Sequence, residues 1–323
     1  MPLSPDLETI VFPATDPYAD GFLQVSDLHR IYWQAYGNKD GIPVVCLHGG
    51  PGSGMSSWHP RLFDLSKYHV ILFDQRGCGR SEPFAALEDN TTAHLISDME
   101  QLRRHFRLED WYLFGGSWGS TLALAYADHA PQQVRGLIIY GIFLARSKEF
   151  NALLRADGPP ALLYPEYYDA FISLLPPEDR AAPIEGYQKL FASSDDALRT
   201  QALRAWSHWE MRMLTLVPEE ELFLPENEDL AFLETHSKFE QHYYKHNGYI
   251  DGDRLLQTIG AKLSGKPVHI VQGRYDLICP AQTAYELHNA IPHSTLTFAP
   301  TSGHSGKNPE IMQILKDRVA DLR

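Results

Sequence analysis

The chain has 323 residues, of which 44% are hydrophobic and 21% charged, as is usual for a globular protein with a large core. Its 41 acidic residues outnumber its 28 lysine and arginine residues, so the formal net charge is −13. This charge argues against a nucleic-acid-binding surface, which needs clustered basic residues, and no run of about 20 apolar residues predicts a membrane span.

Over residues 1–146, short apolar runs alternate with segments of helical periodicity. The first two runs predict a hairpin-like pair of strands, and the later runs end in glycine, as buried strands often do. Leu95, Met99, Leu102 and Phe106 recur at the spacing of one helix face. This alternation of strand and helix indicates a parallel sheet with right-handed crossovers. The predicted strands are GFLQV, HRIYWQAYG, IPVVCLHGG, HVILFDQRG, WYLFGGS and VRGLIIYGIF.

The pattern changes near residue 147. Residues 147–253 are rich in Leu, Ala, Glu, Tyr and Trp, and they predict helices broken by prolines. Strand-like runs return in KPVHIVQGRYD and STLTFAPTSGHS, with one helix between them and another closing the chain. We therefore expect an α/β catalytic domain of residues 1–146 and 254–323, interrupted by a helical cap domain of residues 147–253.

A G-x-S-x-G pattern centred on Ser117 lies between an apolar strand and an Ala/Leu-rich helix. A tight strand-to-helix turn exposes such a serine, and only small neighbours avoid a clash there. The N-terminus of the following helix directs backbone N–H groups at a developing oxyanion. This context favours Ser117 as a nucleophile over a small residue in a glycine-rich turn.

A serine hydroxyl needs a base to accept its proton, and in this arrangement an acid and then a histidine follow the serine in the chain. Asp276 lies just past one predicted strand, and His304 lies just past the next. Because the ends of parallel strands share one edge, both should lie near the serine. We expect His304 to act as general base and Asp276 to orient its imidazole. Asp251 and Asp253 compete for the acid role, and a simple turn at Asp276 is the other alternative.

A second glycine-rich loop, at 47–54, also follows a strand end. Its glycines let the backbone approach a ligand, and we expect the amides of Gly50 and Trp118 to form an oxyanion hole. A phosphate-binding loop is the alternative, but GxGxxG and GxxxxGK[ST] are both missing here. Asp74 and Arg76, past another strand end, are expected to brace the loops rather than react.

Five motifs occur in order: HGGPG at 48–52, DQRGCGRS at 74–81, GGSWGS at 115–120, GRYD at 273–276 and GHS at 303–305. Together they resemble the proline iminopeptidases (prolyl aminopeptidases) of the α/β-hydrolase superfamily, over nearly the whole chain. G-x-S-x-G alone marks the superfamily, whereas HGGPG with DQRGxGxS and GGSWGS is more specific. The resemblance implies the α/β-hydrolase fold, with a mostly parallel central sheet flanked by helices. It also implies a serine peptidase that releases proline from peptides with a free N-terminal proline.

The resemblance further implies that two carboxylates of the cap bind the free amine of the substrate. The family's W-x-x-WE and E-x-HYF segments correspond here to WSHWE, with Glu210, and FEQHYYKHNGY, with Glu240. Paired carboxylates suit a buried ammonium, and they discriminate against an acylated N-terminus. Tyr244 stands where the family has Phe, and Phe143 is expected to contact the proline ring. The alternatives are solvated helix-face charges for the two glutamates and core packing for Phe143.

Two other classes of function fit parts of the pattern. A carboxylesterase or other small-acyl hydrolase would share the catalytic residues but would not need Glu210 and Glu240. A non-catalytic binding protein on a hydrolase scaffold is disfavoured by the intact set of Ser117, Asp276 and His304. The accepted peptide length, the tolerance of hydroxyproline or alanine, and the oligomeric state stay open.

The chain has an odd number of cysteines, Cys46, Cys78 and Cys279, and no CxxC pair. Their spacing is typical of neither a disulfide framework nor a zinc site, and it fits a reducing compartment. We expect Cys46 and Cys78 to be small core residues. The first residues contain early acids and prolines and predict no secretory signal. We therefore expect a cytoplasmic protein without a cofactor or a metal.

Overall fold

The centre of the molecule is an eight-stranded sheet, seen in a computed structural model that describes residues 3–322. The strands are β1 (Ala19–Gln24), β2 (Arg30–Gly37), β3 (Ile42–Leu47), β4 (Tyr68–Phe73), β5 (Trp111–Ser117), β6 (Val134–Ile142), β7 (Val268–Gly273) and β8 (Thr295–Ala299). Their order across the sheet is β1-β2-β4-β3-β5-β6-β7-β8. The β1–β2 and β2–β4 pairs are antiparallel, and every pair from β4 to β8 is parallel. The predicted hairpin and the predicted parallel sheet are both confirmed.

Both faces of the sheet are covered by helices, which is why its central strands are apolar without alternation. In β3, Val45 and Leu47 pack into the core on one face, and Val44 and Cys46 pack into the core on the other. Helix α3 covers the first of these faces and α12 the second. Within residues 3–322, the helices of this layered part are α1 (Pro5–Ile10), α2 (Thr92–His105), α3 (Trp118–His129), α11 (Ala281–Ala290) and α12 (Pro309–Ala320). The sequence predicted all of them except α1.

Between β6 and β7 the chain forms a run of helices, as predicted. They are α4 (Ser147–Leu154), α5 (Pro159–Leu163), α6 (Pro165–Ile172), α7 (Pro183–Phe191), α8 (Asp196–Met211), α9 (Leu230–Lys245) and α10 (Gly252–Lys262). Prolines begin α5, α6 and α7, whereas α8 and α9 are each preceded by a capping aspartate. Asp195 and Asp229 each accept hydrogen bonds from two backbone amides of the first turn, which satisfies donors that a helix start leaves free.

Helix α10 packs against α3, and Arg254 donates a 3.0 Å hydrogen bond to Asp128 at the end of α3. Residue 253, the expected end of the cap domain, lies inside this helix. The division into a catalytic domain and a cap domain stays a prediction. None of the helices between residues 3 and 322 is long and apolar enough to cross a bilayer.

Candidate active site

Ser117 is the last residue of β5, directly before α3, and its backbone has φ 56° and ψ −127°. A non-glycine residue in this left-handed region is strained, and such strain marks a tight strand-to-helix turn that exposes the side chain. The glycines beside Ser117 cannot be replaced by a larger residue without a clash. A Cβ atom on Gly116 would lie 2.0 Å from the ring of Tyr140, and one on Gly119 would lie 2.3 Å from the carbonyl oxygen of Leu47.

Asp276 and His304 follow the carboxyl ends of β7 and β8, and Nδ1 of His304 lies 2.8 Å from Oδ2 of Asp276. The other carboxylate oxygen of Asp276 accepts the backbone N–H groups of Ile278 and Cys279, at 3.0 and 2.8 Å. Gln272 donates to Oδ2 at 3.0 Å. These bonds fix the carboxylate, which in turn orients the imidazole so that Nδ1 donates and Nε2 is left to accept a proton.

Burial lowers the pKa of His304, but the charge and hydrogen bond of Asp276, together with the charge of Glu210, raise it by more. The net pKa therefore lies above the ordinary value for histidine. The competing acids have other partners. Asp251 caps α10 by accepting the amide of Arg254 at 2.9 Å, and exposed Asp253 lies 3.6 Å from Arg146.

Ser117 and His304 line one cavity of about 230 Å³, together with Gly50 of the glycine-rich loop. The loop runs close to the serine, since a Cβ atom on Gly49 would lie 3.4 Å from Cβ of Ser117. Trp118 begins α3, so its amide directly follows the serine. A larger cleft of about 800 Å³ adjoins this cavity and shares Met211, Leu214, Phe232, Ser305 and Lys307 with it.

Helix α9 is attached to the glycine-rich loop. The hydroxyl of Thr235 donates a 2.9 Å hydrogen bond to the carbonyl oxygen of Gly52. The approach is so close that a Cβ atom on Gly52 would lie 2.5 Å from the carbonyl oxygen of Thr235. The position of α9 is therefore tied to the loop that contains Gly50.

Glu210 of α8 and Glu240 of α9 face each other and are almost wholly buried, with 5% and 0% of their surface exposed. Trp206, one turn before Glu210, donates a 2.7 Å hydrogen bond to Oε2 of Glu240. The hydroxyl of Tyr244, one turn after Glu240, lies 3.2 Å from Oε2 of Glu210 and 3.1 Å from Oε1 of Glu240. The alternative of solvated helix-face charges does not fit this burial.

Burial and the neighbouring Glu210 carboxylate raise the pKa of Glu240 well above its ordinary value, although Trp206 and Tyr244 oppose the shift by hydrogen bonding. Two buried carboxylates repel each other, so a proton on one of them is favoured. A cation placed between them reverses this preference. A positive charge between Glu210 and Glu240 would therefore stabilise both of them in the ionised form.

Phe143 and Tyr244 line a narrow pocket beside Ser117, of about 10 Å³. Phe143 packs edge-on against Phe150 at 5.5 Å and lies 6.1 Å from the ring of Tyr244. This pocket also contains Cys279, whose thiol lies in hydrogen-bond contact with Ser117. Burial raises the pKa of Cys279 well above its ordinary value, so the neutral thiol is favoured. The sequence alone does not predict a cysteine beside Ser117.

The sequence did not single out His236, which lies one turn before Glu240 on α9. Its Nε2 atom is 3.4 Å from Oε1 of Glu240 and 3.8 Å from Oε1 of Glu210. The only signal in the sequence is the i, i+4 spacing of His236 and Glu240. Burial lowers the pKa of His236, which favours the neutral imidazole.

Asp74 and Arg76 have bracing contacts, as expected. Arg76 donates two 2.7 Å hydrogen bonds to the carboxylate of Asp98 on α2, and both side chains are buried. Asp74 accepts the backbone amides of Met55 and Arg80, at 2.7 and 2.9 Å, and so joins two glycine-rich loops. Neither side chain is free to react.

Comparison with known proteins shows close relatives over almost the full length. A family model described as the alpha/beta hydrolase fold matches residues 42–307. The chain is 41% identical over 302 residues to a proline iminopeptidase of Arabidopsis thaliana, covering 93% of this chain and 79% of the other. It is 39% identical over 313 residues to a proline iminopeptidase of Neisseria meningitidis serogroup A, covering 97% and 98%.

Solved structures show the same fold at lower identity. A putative aryl esterase from Burkholderia cenocepacia superposes with a TM-score of 0.66 at 16% identity, covering 94% of this chain and 98% of the other. An alpha/beta fold family hydrolase from Bacillus anthracis superposes with a TM-score of 0.61 at 21% identity, covering 94% and 99%. At these identities the likeness concerns the fold alone.

Proposed function

The chain belongs to the proline iminopeptidase family of the α/β-hydrolase superfamily, and we propose that Ser117, His304 and Asp276 release the N-terminal proline of peptides. The observation that supports this most directly is the shared cavity. Ser117 and His304, which fit acyl transfer, line it together with Glu210, one of a buried pair of carboxylates. Acyl transfer and recognition of a cation are therefore possible on one small substrate.

In the first half of the reaction, Oγ of Ser117 attacks the carbonyl carbon of the terminal proline while Nε2 of His304 takes the hydroxyl proton. The negative charge on the carbonyl oxygen is stabilised by the backbone amides of Gly50 and Trp118. The C–N bond then breaks, and the imidazolium gives its proton to the leaving amine of the shortened peptide. The adjoining cleft offers that peptide a way out.

In the second half, a water molecule attacks the prolyl ester. His304 accepts a proton from the water, the Ser117 oxygen leaves, and the same proton returns to it. Free proline is released. Asp276 stays ionised throughout and stabilises the imidazolium each time it forms.

Glu210 and Glu240 bind the secondary ammonium of the substrate through charge-assisted hydrogen bonds. Only two bonds separate that nitrogen from the reacting carbonyl carbon, so binding the amine also positions the carbonyl. We expect Phe143 and Tyr244, which lie beside Ser117, to contact an edge of the proline ring, since the pocket between them is too narrow to enclose it. An ester hydrolase would gain nothing from a buried carboxylate pair, which is costly to keep without a cation.

A panel of aminoacyl 4-nitroanilides, with and without N-acetylation, tests this proposal. We expect the proline derivative to be cleaved fastest and its N-acetyl form to be inert, because acetylation removes the cation. Cleavage of simple esters together with no cleavage of the proline derivative would instead favour a carboxylesterase.

The amine-binding role is tested separately by Glu210→Gln and Glu240→Gln. Each should lower kcat/KM for proline 4-nitroanilide by at least about 100-fold, since one uncompensated contact to a buried charge costs about 3 kcal/mol. Hydrolysis of 4-nitrophenyl acetate, which has no amine, should change little and serves as the control. Equal losses on both substrates would contradict the assignment.

The helical segment of residues 147–253 supplies the carboxylates, and we propose that it acts as the cap domain of the enzyme. The cysteine pattern favours a cytoplasmic location, which we retain as part of the proposal.

A further inference from the structure

Glu210, His236 and Glu240 each bring one ligand atom into a tight group, and these atoms all lie within 4.8 Å of one another. Nε2 of His236 lies 3.4 Å from Oε1 of Glu240 and 3.8 Å from Oε1 of Glu210. In a tetrahedral zinc site with bonds of about 2.0–2.2 Å, neighbouring ligand atoms are about 3.3–3.6 Å apart. An ammonium with hydrogen bonds of about 2.8 Å would hold its acceptors about 4.5 Å apart. The two distances from His236 to the glutamates are thus closer to the spacing of zinc ligands than to that of the acceptors around an ammonium.

A chain of hydrogen bonds links Nδ1 of His236 to the carbonyl oxygen of Leu203 and can hold the imidazole with its proton on Nδ1. The hydroxyl of Ser237 donates to the carbonyl oxygen of Leu203 at 2.9 Å. With that proton used, Ser207, 2.8 Å from Ser237, can donate its single proton to the Ser237 hydroxyl. The Ser207 oxygen is then left to accept Nδ1–H of His236, at 3.0 Å. In this arrangement Nε2 has the free lone pair, and it faces the two carboxylates.

The carboxylates are also held from behind. Trp206 donates to Oε2 of Glu240, and the Tyr244 hydroxyl lies 3.1 Å from Oε1 of Glu240 and 3.2 Å from Oε2 of Glu210. Oε1 of Glu240 has a second lone pair for a ligand, and Oε1 of Glu210 has no contact with Tyr244. Partners of this kind orient metal ligands in proteins, as does a hydrogen bond on the second nitrogen of a histidine. Glu210, His236 and Glu240 have both kinds of partner in the structure as it stands.

We propose that Glu210, His236 and Glu240 form a binding site for a zinc-class divalent ion, and that the bound ion inhibits the enzyme reversibly. One imidazole nitrogen and two carboxylate oxygens suit zinc, whereas calcium needs six or more oxygen ligands and magnesium an octahedron of them. Glu210 and His236 line the cavity that contains Ser117, so a fourth position of the ion is open to it.

Inhibition follows because the ion and the substrate need the same two carboxylates. This part of the inference rests on the proposed function, in which Glu210 and Glu240 bind the substrate ammonium. An ion bound there excludes the amine and should raise the apparent KM for a proline arylamide without lowering kcat.

Metal binding is measured directly with the full chain carrying Ser117→Ala, so that turnover plays no part. Cobalt(II) replaces zinc as the probe because tetrahedral cobalt absorbs strongly in the visible range. We expect one equivalent of cobalt to bind with this spectrum, zinc to displace it, and prolinamide to displace it as well.

His236→Gln should weaken zinc binding by at least about 10-fold, and Ser207→Ala, which loosens the imidazole, should weaken it in the same direction. His59→Gln is the matched control, because His59 is buried and lines the same cavity but has no contact with the carboxylates. It should leave the affinity unchanged. The thermal unfolding midpoint of each variant shows whether it is folded.

Zinc binding that survives His236→Gln but is lost on His304→Asn would overturn the proposal, since it would place the ion on the catalytic histidine. Two results with the Ser117→Ala chain, whose metal site is unmodified, would also overturn the proposal. They are the absence of the tetrahedral cobalt spectrum and its persistence in excess prolinamide. Both can be measured even if His236→Gln does not fold. If the spectrum appears as described but the wild-type chain does not cleave proline arylamides, the proposed function fails and the metal site stands.

Discussion

At the scale of single residues, the 2.8 Å contact between Asp276 and His304 carries most of the proposed chemistry. An asparagine at position 276 would offer an N–H to Nδ1 and so favour the imidazole tautomer that has its proton on Nε2. That nitrogen could then no longer accept the proton of Ser117.

We expect Asp276→Asn to lower kcat for proline 4-nitroanilide by about 10⁴-fold with little change in KM, because binding does not depend on the tautomer. Steady-state kinetics measure both constants. The thermal unfolding midpoint shows whether the variant is folded. A loss of less than tenfold in a folded variant would mean that another acid orients His304.

The raised pKa of His304 predicts the acid limb of the pH profile. A general base must be neutral, so activity is present above the pKa of His304 and is lost as the pH falls through it. Since that pKa lies above the ordinary value of about 6.5, the midpoint of the acid limb of kcat/KM should also lie above about 6.5.

Kinetics between pH 5 and 9 with 4-nitrophenyl acetate isolate this group, because the ester does not need the carboxylate pair. The same midpoint with proline 4-nitroanilide would assign the limb to His304 in both reactions. A midpoint well below 6 with the ester would be inconsistent with the environment of His304.

Residue types and spacing predicted Ser117, Asp276 and His304, because a strand end precedes each one. The amine-binding role of Glu210 and Glu240 was predicted from the family resemblance, since glutamates on helices are usually solvated. His236 could not be found in this way. Its importance depends on α8 lying opposite α9, which no local pattern encodes.

At the scale of elements, the turn between β5 and α3 depends on close backbone packing. Gly119, in the first turn of α3, faces the carbonyl oxygen of Leu47 at the end of β3. Alanine favours helices over glycine by about 1 kcal/mol, but the added methyl group would push the helix away from β3.

We expect Gly119→Ala to lower the free energy of unfolding by about 1–3 kcal/mol, because overpacking outweighs the helix propensity. It should also lower kcat, since Ser117 moves with the helix. Denaturant unfolding followed by circular dichroism measures the first effect. Gly21→Ala in β1 is the matched control, because its Cβ atom would lie 3.4 Å from Trp33, an ordinary contact. Similar losses in both variants would count against the packing argument.

The elements of the sheet were readable because buried parallel strands appear as apolar runs that end in glycine. The helices between β6 and β7 could be predicted as helices. Their first residues could not all be predicted, because not every one of these helices begins at a proline. Asp195 and Asp229 begin α8 and α9 by capping, and an aspartate in a polar stretch is a weak signal until the helix is known.

At the scale of the whole molecule, the chain has a formal net charge of −13, and the proposed substrate has a cationic terminus. The field of such a charge attracts positively charged substrates, and salt screens it over a Debye length that falls from about 30 Å at 0.01 M to about 10 Å at 0.1 M.

We therefore expect Pro-Gly-Lys amide to be cleaved with a higher kcat/KM than Pro-Gly-Glu amide at low ionic strength, and the ratio to fall as sodium chloride is added. Release of proline measures both rates. Uncharged Pro-Gly-Gln amide is the control and should lie between the two. A ratio independent of salt would mean that the difference comes from local contacts.

Thr235 joins the helix that carries Glu240 to the loop that carries Gly50, through its hydrogen bond to Gly52. The distance from the proposed amine site to the proposed oxyanion hole is therefore fixed by the protein. It determines which peptide bond lies beside Ser117. Shifting the substrate by one residue would carry its terminal nitrogen about 3.5 Å out of place. The proposed site therefore removes one residue at a time from the end of a chain. A product with a new terminal proline can then bind in the same way as the first substrate.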